Sequence, residues 1–244
     1  KKIQMDLRLK LLETHFKARS GHIGSSLSCL DILISTIILN LKPNDRFILS
    51  KGHAAVALYT VLFHQGILTA EELSNYYSDG TKYPAHIPAL GSNAIPFGTG
   101  SLGHGLPLAC GIALGMKLNQ TSDRVFCLLS DGECNEGSVW EAIQFCAQQK
   151  LSNLVILVDK NRLQGFDPTD AVAVNPTSRN QFDSFGCKVV EVDGHNISEL
   201  LSCFDKINHS LDTPPTVVIC NTVKGKGVGF MENKLEWHYL PMTP

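Results

Sequence analysis

The sequence predicts an α/β fold, a parallel sheet flanked by helices with a helical N-terminal part, and three observations carry that prediction. From about residue 124 onward, short β-branched apolar runs alternate with longer amphipathic segments. Such alternation pairs strands in parallel and lays the crossover helices on the faces of the sheet. The first 120 residues carry mostly helical spacing, and no repeat or low-complexity linker divides the 244 residues, so residues 1–244 read as one domain.

In chain order, residues 27–41 and 52–65 read as helices. The first contains the longest apolar stretch, 30–41, which is interrupted by Asp31, Ser35, Thr36 and Asn40. It is shorter than the roughly 20 apolar residues that span a bilayer, so it predicts a buried helix. Thr69 and Glu72 have the spacing of a capping box. A small-residue helix follows at 106–118. Strands are predicted at 124–130, 154–159, 188–193 and 216–223, with helices at 138–150 and 198–210 between them.

Composition narrows the function. With 21 Lys plus Arg against 23 Asp plus Glu, the net charge is −2, which leaves no basic excess for a phosphate backbone or an anionic membrane. Neither a nucleic-acid nor a membrane partner is expected. Eight cysteines are spread singly, mostly in apolar runs and never as C-x-x-C, which predicts free thiols in a reduced, cytoplasmic protein. The N-terminus lacks both a signal-peptide pattern and a Met, and reads as trimmed.

In a parallel sheet, ligands collect at the carboxyl ends of the strands. Two predicted strands end in Asp131-Gly132-Glu133 and Asp159-Lys160-Asn161, and Asp131 and Asn161 lie thirty residues apart, one strand-helix-strand unit. A carboxylate and an amide oxygen on neighbouring strand ends suit Mg²⁺, completed by a backbone carbonyl, water and diphosphate oxygens. Gly132 permits close approach of a phosphate. Either residue alone is equally a turn residue; the pair at this spacing favours the metal. Both are expected on exposed strand ends.

Gly98-Thr-Gly100-Ser-Leu-Gly103 is a literal G-x-G-x-x-G, but Pro96 precedes it and no acid ends a following strand at the right distance, so a nicotinamide-dinucleotide site is disfavoured. What remains is a glycine loop before a helix, suited to an anion. Of nine histidines, His22, His53, His86, His104 and His238 stand in loops or at element starts, a set suited to polarising hydroxyls and carbonyls. Zinc is the rival, without H-x₃-H or H-E-x-x-H spacing.

The series Ser20-Gly-His-Ile-Gly-Ser-Ser, Ser50-Lys-Gly-His-Ala, Gly100-Ser-Leu-Gly-His-Gly, Ser130-Asp-Gly-Glu, Glu136-Gly, Trp140-Glu-Ala, Asp159-Lys-Asn-Arg-Leu-Gln, Lys224-Gly-Lys-Gly-Val and Glu236-Trp-His resembles the thiamine-diphosphate-binding half of transketolase, in the same order and over essentially the whole chain. The resemblance implies the thiamine-diphosphate-binding fold, with thiamine diphosphate and Mg²⁺ as cofactors. It implies Asp131, Asn161 and the Leu163 carbonyl at the metal. His53, Gly100, Gly132 and His238 then face the diphosphate or thiazolium, and Leu102 packs near the aminopyrimidine. His22 and His86 stand beside the reacting carbon, with His53 and His238 completing the catalytic set. Glu136 and Glu141 belong to an acidic cluster at a subunit interface. The chain departs from the family at Ser130-Asp, Gly21-His-Ile, Ala85-His-Ile, Leu102-Gly-His and Tyr239, where glycine is common.

The activity so implied is transfer of a two-carbon unit from a ketose or its phosphate to an aldehyde. The last motif falls just before Pro244, so a separate pyrimidine-binding subunit is expected as partner, in a heterotetramer inactive without it. The α-subunit of a 2-oxo acid dehydrogenase or decarboxylase and a non-catalytic cofactor-binding module are the competing readings.

Overall fold

A computed structural model describes residues 1–173, 177–209 and 214–243. Its centre is a five-stranded, wholly parallel sheet in the order β1-β2-β3-β5-β4, built from Arg46–Leu49 (β1), Val125–Ser130 (β2), Leu154–Lys160 (β3), Lys188–Asp193 (β4) and Thr216–Asn221 (β5). Along β2, Val125, Cys127 and Leu129 join one apolar cluster while Phe126 and Leu128 join the other. This period of two, buried on both sides, is why the inner strands read as continuous apolar runs.

One face carries α1 (Lys2–Ala18), α2 (Ile23–Leu33), α3 (Ala55–His64), α4 (Ala70–Ser74) and α9 (Ile197–Asn208); the other carries α5 (Gly105–Leu118), α6 (Gly137–Gln148) and α8 (Arg179–Ser184), with the short α7 (Thr169–Val172) lying beyond β3. α9 shows how sequence makes an element. Leu200, Cys203, Phe204 and Ile207 are spaced to bury one stripe, and the Asn196 side chain accepts from the Glu199 N–H to cap the start. The Thr69/Glu72 capping box is formed in full.

Several expectations change. β1, four residues at a sheet edge, is absent from the predicted strands, because a run that short carries no readable period. α1 is likewise additional; it buries Leu7, Leu11, Thr14 and His15 but exposes Met5, Leu9 and Phe16, which blurs its amphipathic stripe. The helix expected at 27–41 begins at Ile23 and passes into a π-helical turn at Ile34–Ile38. There the Ser35 and Thr36 hydroxyls donate back to the Asp31 and Ile32 carbonyls at 2.9 and 2.8 Å, a competition that loosens the helical ladder. The strand expected at 216–223 stops at Asn221, and the helix expected at 198–210 runs Ile197–Asn208, with Ser210 outside the described residues. All eight cysteines are buried free thiols. No helix among the described residues is long and apolar enough to cross a membrane.

Candidate functional site

In the sheet register Ser130 pairs with Asp159 and Lys160 with Asn221, which brings the carboxyl ends of β2, β3 and β5 to one edge. Around that edge a cleft of about 470 Å³ is lined by His22, His53, His86, Gly100, Leu102, Asp131, Gly132, Asn161, Leu163 and His238, all ten residues singled out from sequence. Glu136, the N-cap of α6, stands at the same cleft, while Glu141 lies exposed farther along α6 and outside its lining. His104 does not join the histidine set: it is exposed, at the N-cap of α5, with Nδ1 by the Leu102 carbonyl.

Asp131 and Asn161 are not exposed as expected; they are 1% and 4% accessible. The loop after β3 folds over them. The Asp131 carboxylate accepts from the N–H of Gly132 at 2.8 Å, the N–H of Arg162 at 2.5 Å and the Thr169 hydroxyl at 3.2 Å. Asn161 Oδ1 accepts from the Leu163 N–H at 3.1 Å, and its amide donates to Ser28 at 3.3 Å. Burial first, and the neighbouring Asp159 carboxylate second, push the Asp131 pKa up to about 6.

Beneath this edge lies a pair that the sequence reading does not assign. Lys51, after β1, and Asp159, in β3, are fully buried; Lys51 Nζ donates to Asp159 at 2.5 Å and to the Ser25 carbonyl at 3.1 Å, and the Ser28 and Thr222 hydroxyls also donate to Asp159. Burial opposes both charges, yet their attraction and the hydroxyls hold Lys51 above and Asp159 below their ordinary pKa values. Buried Glu133 is a second pin: it accepts from the Ser50 hydroxyl and from the N–H of Gly103, tying the glycine loop to the end of β2. Lys224 is fully buried too, donating to the Leu163 carbonyl at 3.2 Å and meeting His238 Nδ1 at 2.8 Å. Burial, then Lys51, lower its pKa to about 8. Lys51, Glu133 and Lys224 all sit inside quoted motifs, but burial of a charge has no signature in a single sequence.

The histidines form one cluster. The His22 ring centre lies 5.4 Å from His53, 5.9 Å from His86 and 5.1 Å from His238. His22 adopts a left-handed conformation, φ +65°, at the start of α2, and its N–H donates to the His238 carbonyl at 2.9 Å. Burial, helped by His86, Lys224 and Lys51, lowers the His22 pKa to about 4; burial and Lys224 take His238 to about 3. Burial, reinforced by Lys51, likewise lowers His53. At neutral pH these three are uncharged imidazoles, each with one donor and one acceptor.

The donor set fits a cation and its anionic ligand. The Asp131 carboxylate is buried with only N–H and O–H partners, so an adjacent cation offsets the cost of its charge. Gln164 Nε2 is a buried donor with no hydrogen-bond partner, on the side chain that a Cβ at Gly132 would strike at 2.9 Å. Gly100, at φ +142°, leaves no room for a Cβ against the His86 ring at 2.9 Å. An unpaired donor, a side-chain-free approach at Gly132 and oxygen ligands suit a metal-bound diphosphate. Among the described residues no three His, Cys, Asp or Glu side chains are grouped to hold a metal.

A parallel sheet whose carboxyl edge offers hard oxygens, glycine loops and neutral imidazoles defines a cofactor-binding α/β domain. The thiamine diphosphate binding domain of transketolase matches residues 1–243, and the chain belongs to that family. One of the relatives, a named subunit of the apulose-4-phosphate transketolase of Phocaeicola vulgatus, is 35% identical over 95% of this chain and 85% of its own length. Transketolase of Homo sapiens is 37% identical over 97% of this chain but 39% of its own length. The crystal structure of transketolase from Campylobacter jejuni matches with a TM-score of 0.88 at 28% identity, covering 98% of this chain and 40% of that one. The chain thus spans about two fifths of these two transketolases. The sheet and its flanking helices are the thiamine-diphosphate-binding fold.

Proposed function

We propose that the chain is the thiamine-diphosphate-binding subunit of a two-chain transketolase, which with a separate pyrimidine-binding subunit transfers a two-carbon ketol unit from a ketose or ketose phosphate to an aldehyde. The observation that carries this reading is the convergence of ten motif residues, drawn from segments far apart in the chain, on one cleft beside an unpaired buried donor. Similarity to a protein named as one subunit of a transketolase supports the two-chain arrangement. Eight free thiols support a reducing, cytoplasmic setting.

Asp131, Asn161 and the Leu163 carbonyl would hold Mg²⁺, and Gly100, Gly132, His53, His238 and Gln164 would face the diphosphate and thiazolium, with Leu102 at the aminopyrimidine. Bound thiamine diphosphate supplies the electron sink for breaking and forming a carbon–carbon bond beside a carbonyl. The protein's part is positional. His22 and His86, whose rings meet edge-on at the cleft, hold and move protons on the substrate's oxygens, and a neutral His22 is able both to donate and to accept at pH 7. The buried Lys51–Asp159 pair and Glu133 fix the strand ends and glycine loop against which the cofactor is seated.

The reading predicts that Asp131→Asn or Asn161→Ala, in the assembled complex, weakens Mg²⁺-dependent thiamine diphosphate binding at least a hundredfold by isothermal titration, with the far-ultraviolet circular dichroism unchanged. Wild-type affinity in either variant would remove the metal assignment.

A further inference from the structure

The last turn of the chain seats one exposed aromatic ring on the cleft. The Tyr239 N–H donates to the Glu236 carbonyl at 3.1 Å, and the neighbouring His238 carbonyl takes the His22 N–H at 2.9 Å. Its own carbonyl presses so closely on Gly21 that a Cβ there would stand 2.8 Å away. The backbone is therefore pinned between two loops, and the side chain has a defined seat. Its ring centre is 4.7 Å from His238 and 6.3 Å from His22, both edge-on. Its hydroxyl lies against Gly165, where a Cβ would collide with that oxygen.

For all this support the residue remains 56% exposed and lines the cleft, and its hydroxyl forms no hydrogen bond among the described residues. A tyrosine that serves packing buries its ring and pairs its hydroxyl. This one does neither, while presenting a rigid apolar face and a free hydroxyl beside neutral imidazoles. That combination suits a polyhydroxylated chain: carbon–hydrogen faces against the ring and a hydroxyl within reach of the phenol.

We propose that Tyr239 is a substrate-contacting, specificity-determining residue, whose ring walls the sugar channel and whose hydroxyl hydrogen-bonds a substrate hydroxyl, selecting hydroxylated over deoxygenated aldehydes. The inference rests on reading the cleft as a ketol-transfer site. A polar group built to meet a substrate hydroxyl discriminates against the analogue that lacks it. The test uses the chain assembled with its pyrimidine-binding subunit, thiamine diphosphate and Mg²⁺, with D-glyceraldehyde and propanal as acceptors. Tyr239→Phe should lower kcat/KM for glyceraldehyde roughly tenfold, mainly through KM, while propanal changes less than twofold. Tyr239→Ala should lower both, and neither variant should shift the thiamine diphosphate Kd more than about threefold, the loss lying in substrate contact. A glyceraldehyde-to-propanal ratio unchanged in Tyr239→Phe, or a loss confined to cofactor affinity, would overturn the assignment while leaving ketol transfer intact. A wild-type complex that binds the cofactor and transfers nothing to either aldehyde would overturn the underlying reading and this inference with it.

Discussion

His22 concentrates the local physics of the site: a left-handed residue at the first turn of a buried helix, touching three other imidazoles and kept neutral by desolvation. If it handles protons on the substrate, His22→Ala should lower kcat/KM by roughly 10²–10⁴ while cofactor affinity stays within a few-fold. Steady-state kinetics beside isothermal titration separate the two, and a loss confined to affinity would move His22 to the diphosphate. His15 gives a cleaner test of desolvation. It is fully buried between the Ser20 and Ser26 hydroxyls, and burial takes its pKa to about 3. The unfolded chain takes up this proton near pH 6.5 and the native chain does not, so the stability it contributes is complete above pH 6.5 and declines as pH falls toward 3. The slope is about 1.4 kcal/mol per pH unit, or about 2 kcal/mol by pH 5. Urea unfolding at pH 7 and 5 should therefore show a loss smaller by about 2 kcal/mol in His15→Gln than in wild type; equal losses would contradict this account.

At the scale of elements, the carboxyl edge is held together by the Lys51–Asp159 pair, which joins the turn after β1 to β3 and reaches α2 through Ser25 and Ser28. A buried pair adds little over apolar packing, but removing one partner strands a charge. Lys51→Met should cost about 3–5 kcal/mol in chemical denaturation. Adding Asp159→Asn should restore part of it, because an amide oxygen still accepts from Ser28 and Thr222. A double variant no more stable than the single would show that the charge is not the cause. Elements are legible in proportion to their period: α9 and the inner strands read directly, whereas β1 is too short and α1 too mixed in its exposed face to announce themselves.

At the scale of the molecule, the cleft opens beside Phe166, Val172 and Leu240, which are 80, 44 and 48% exposed. So much apolar surface around a polar site is what a partner covers. Purified alone, the chain should show no ketol transfer. Mixed with a pyrimidine-binding subunit, it should regain activity, and light scattering after size exclusion should give twice the mass of one pair, as for a heterotetramer. Transfer by the chain in the demonstrated absence of a partner would refute the split assembly, and a mass of one pair would refute the stoichiometry.

The fold class is legible in the sequence alone, because β-branched runs and helical stripes record which faces are apolar, and apolar burial drives the layering of helices on a sheet. The spacing of Asp131 and Asn161 by one strand-helix-strand unit points to the same sheet edge, whereas Gly100, Leu102, Leu163 and the roles of the histidines are implied by the resemblance to the transketolase family. Three-dimensional packing was needed to bury Asp131 and Asn161 rather than expose them, because the loop from Arg162 to Thr169 returns its N–H and hydroxyl donors to Asp131. Packing also paired Lys51 with Asp159 across 108 positions, seated Lys224 beneath His238, left His104 outside the cleft and turned Tyr239 into it. Charge burial, pKa and the direction of a side chain depend on neighbours distant in the chain, and a one-dimensional pattern records only those that are near.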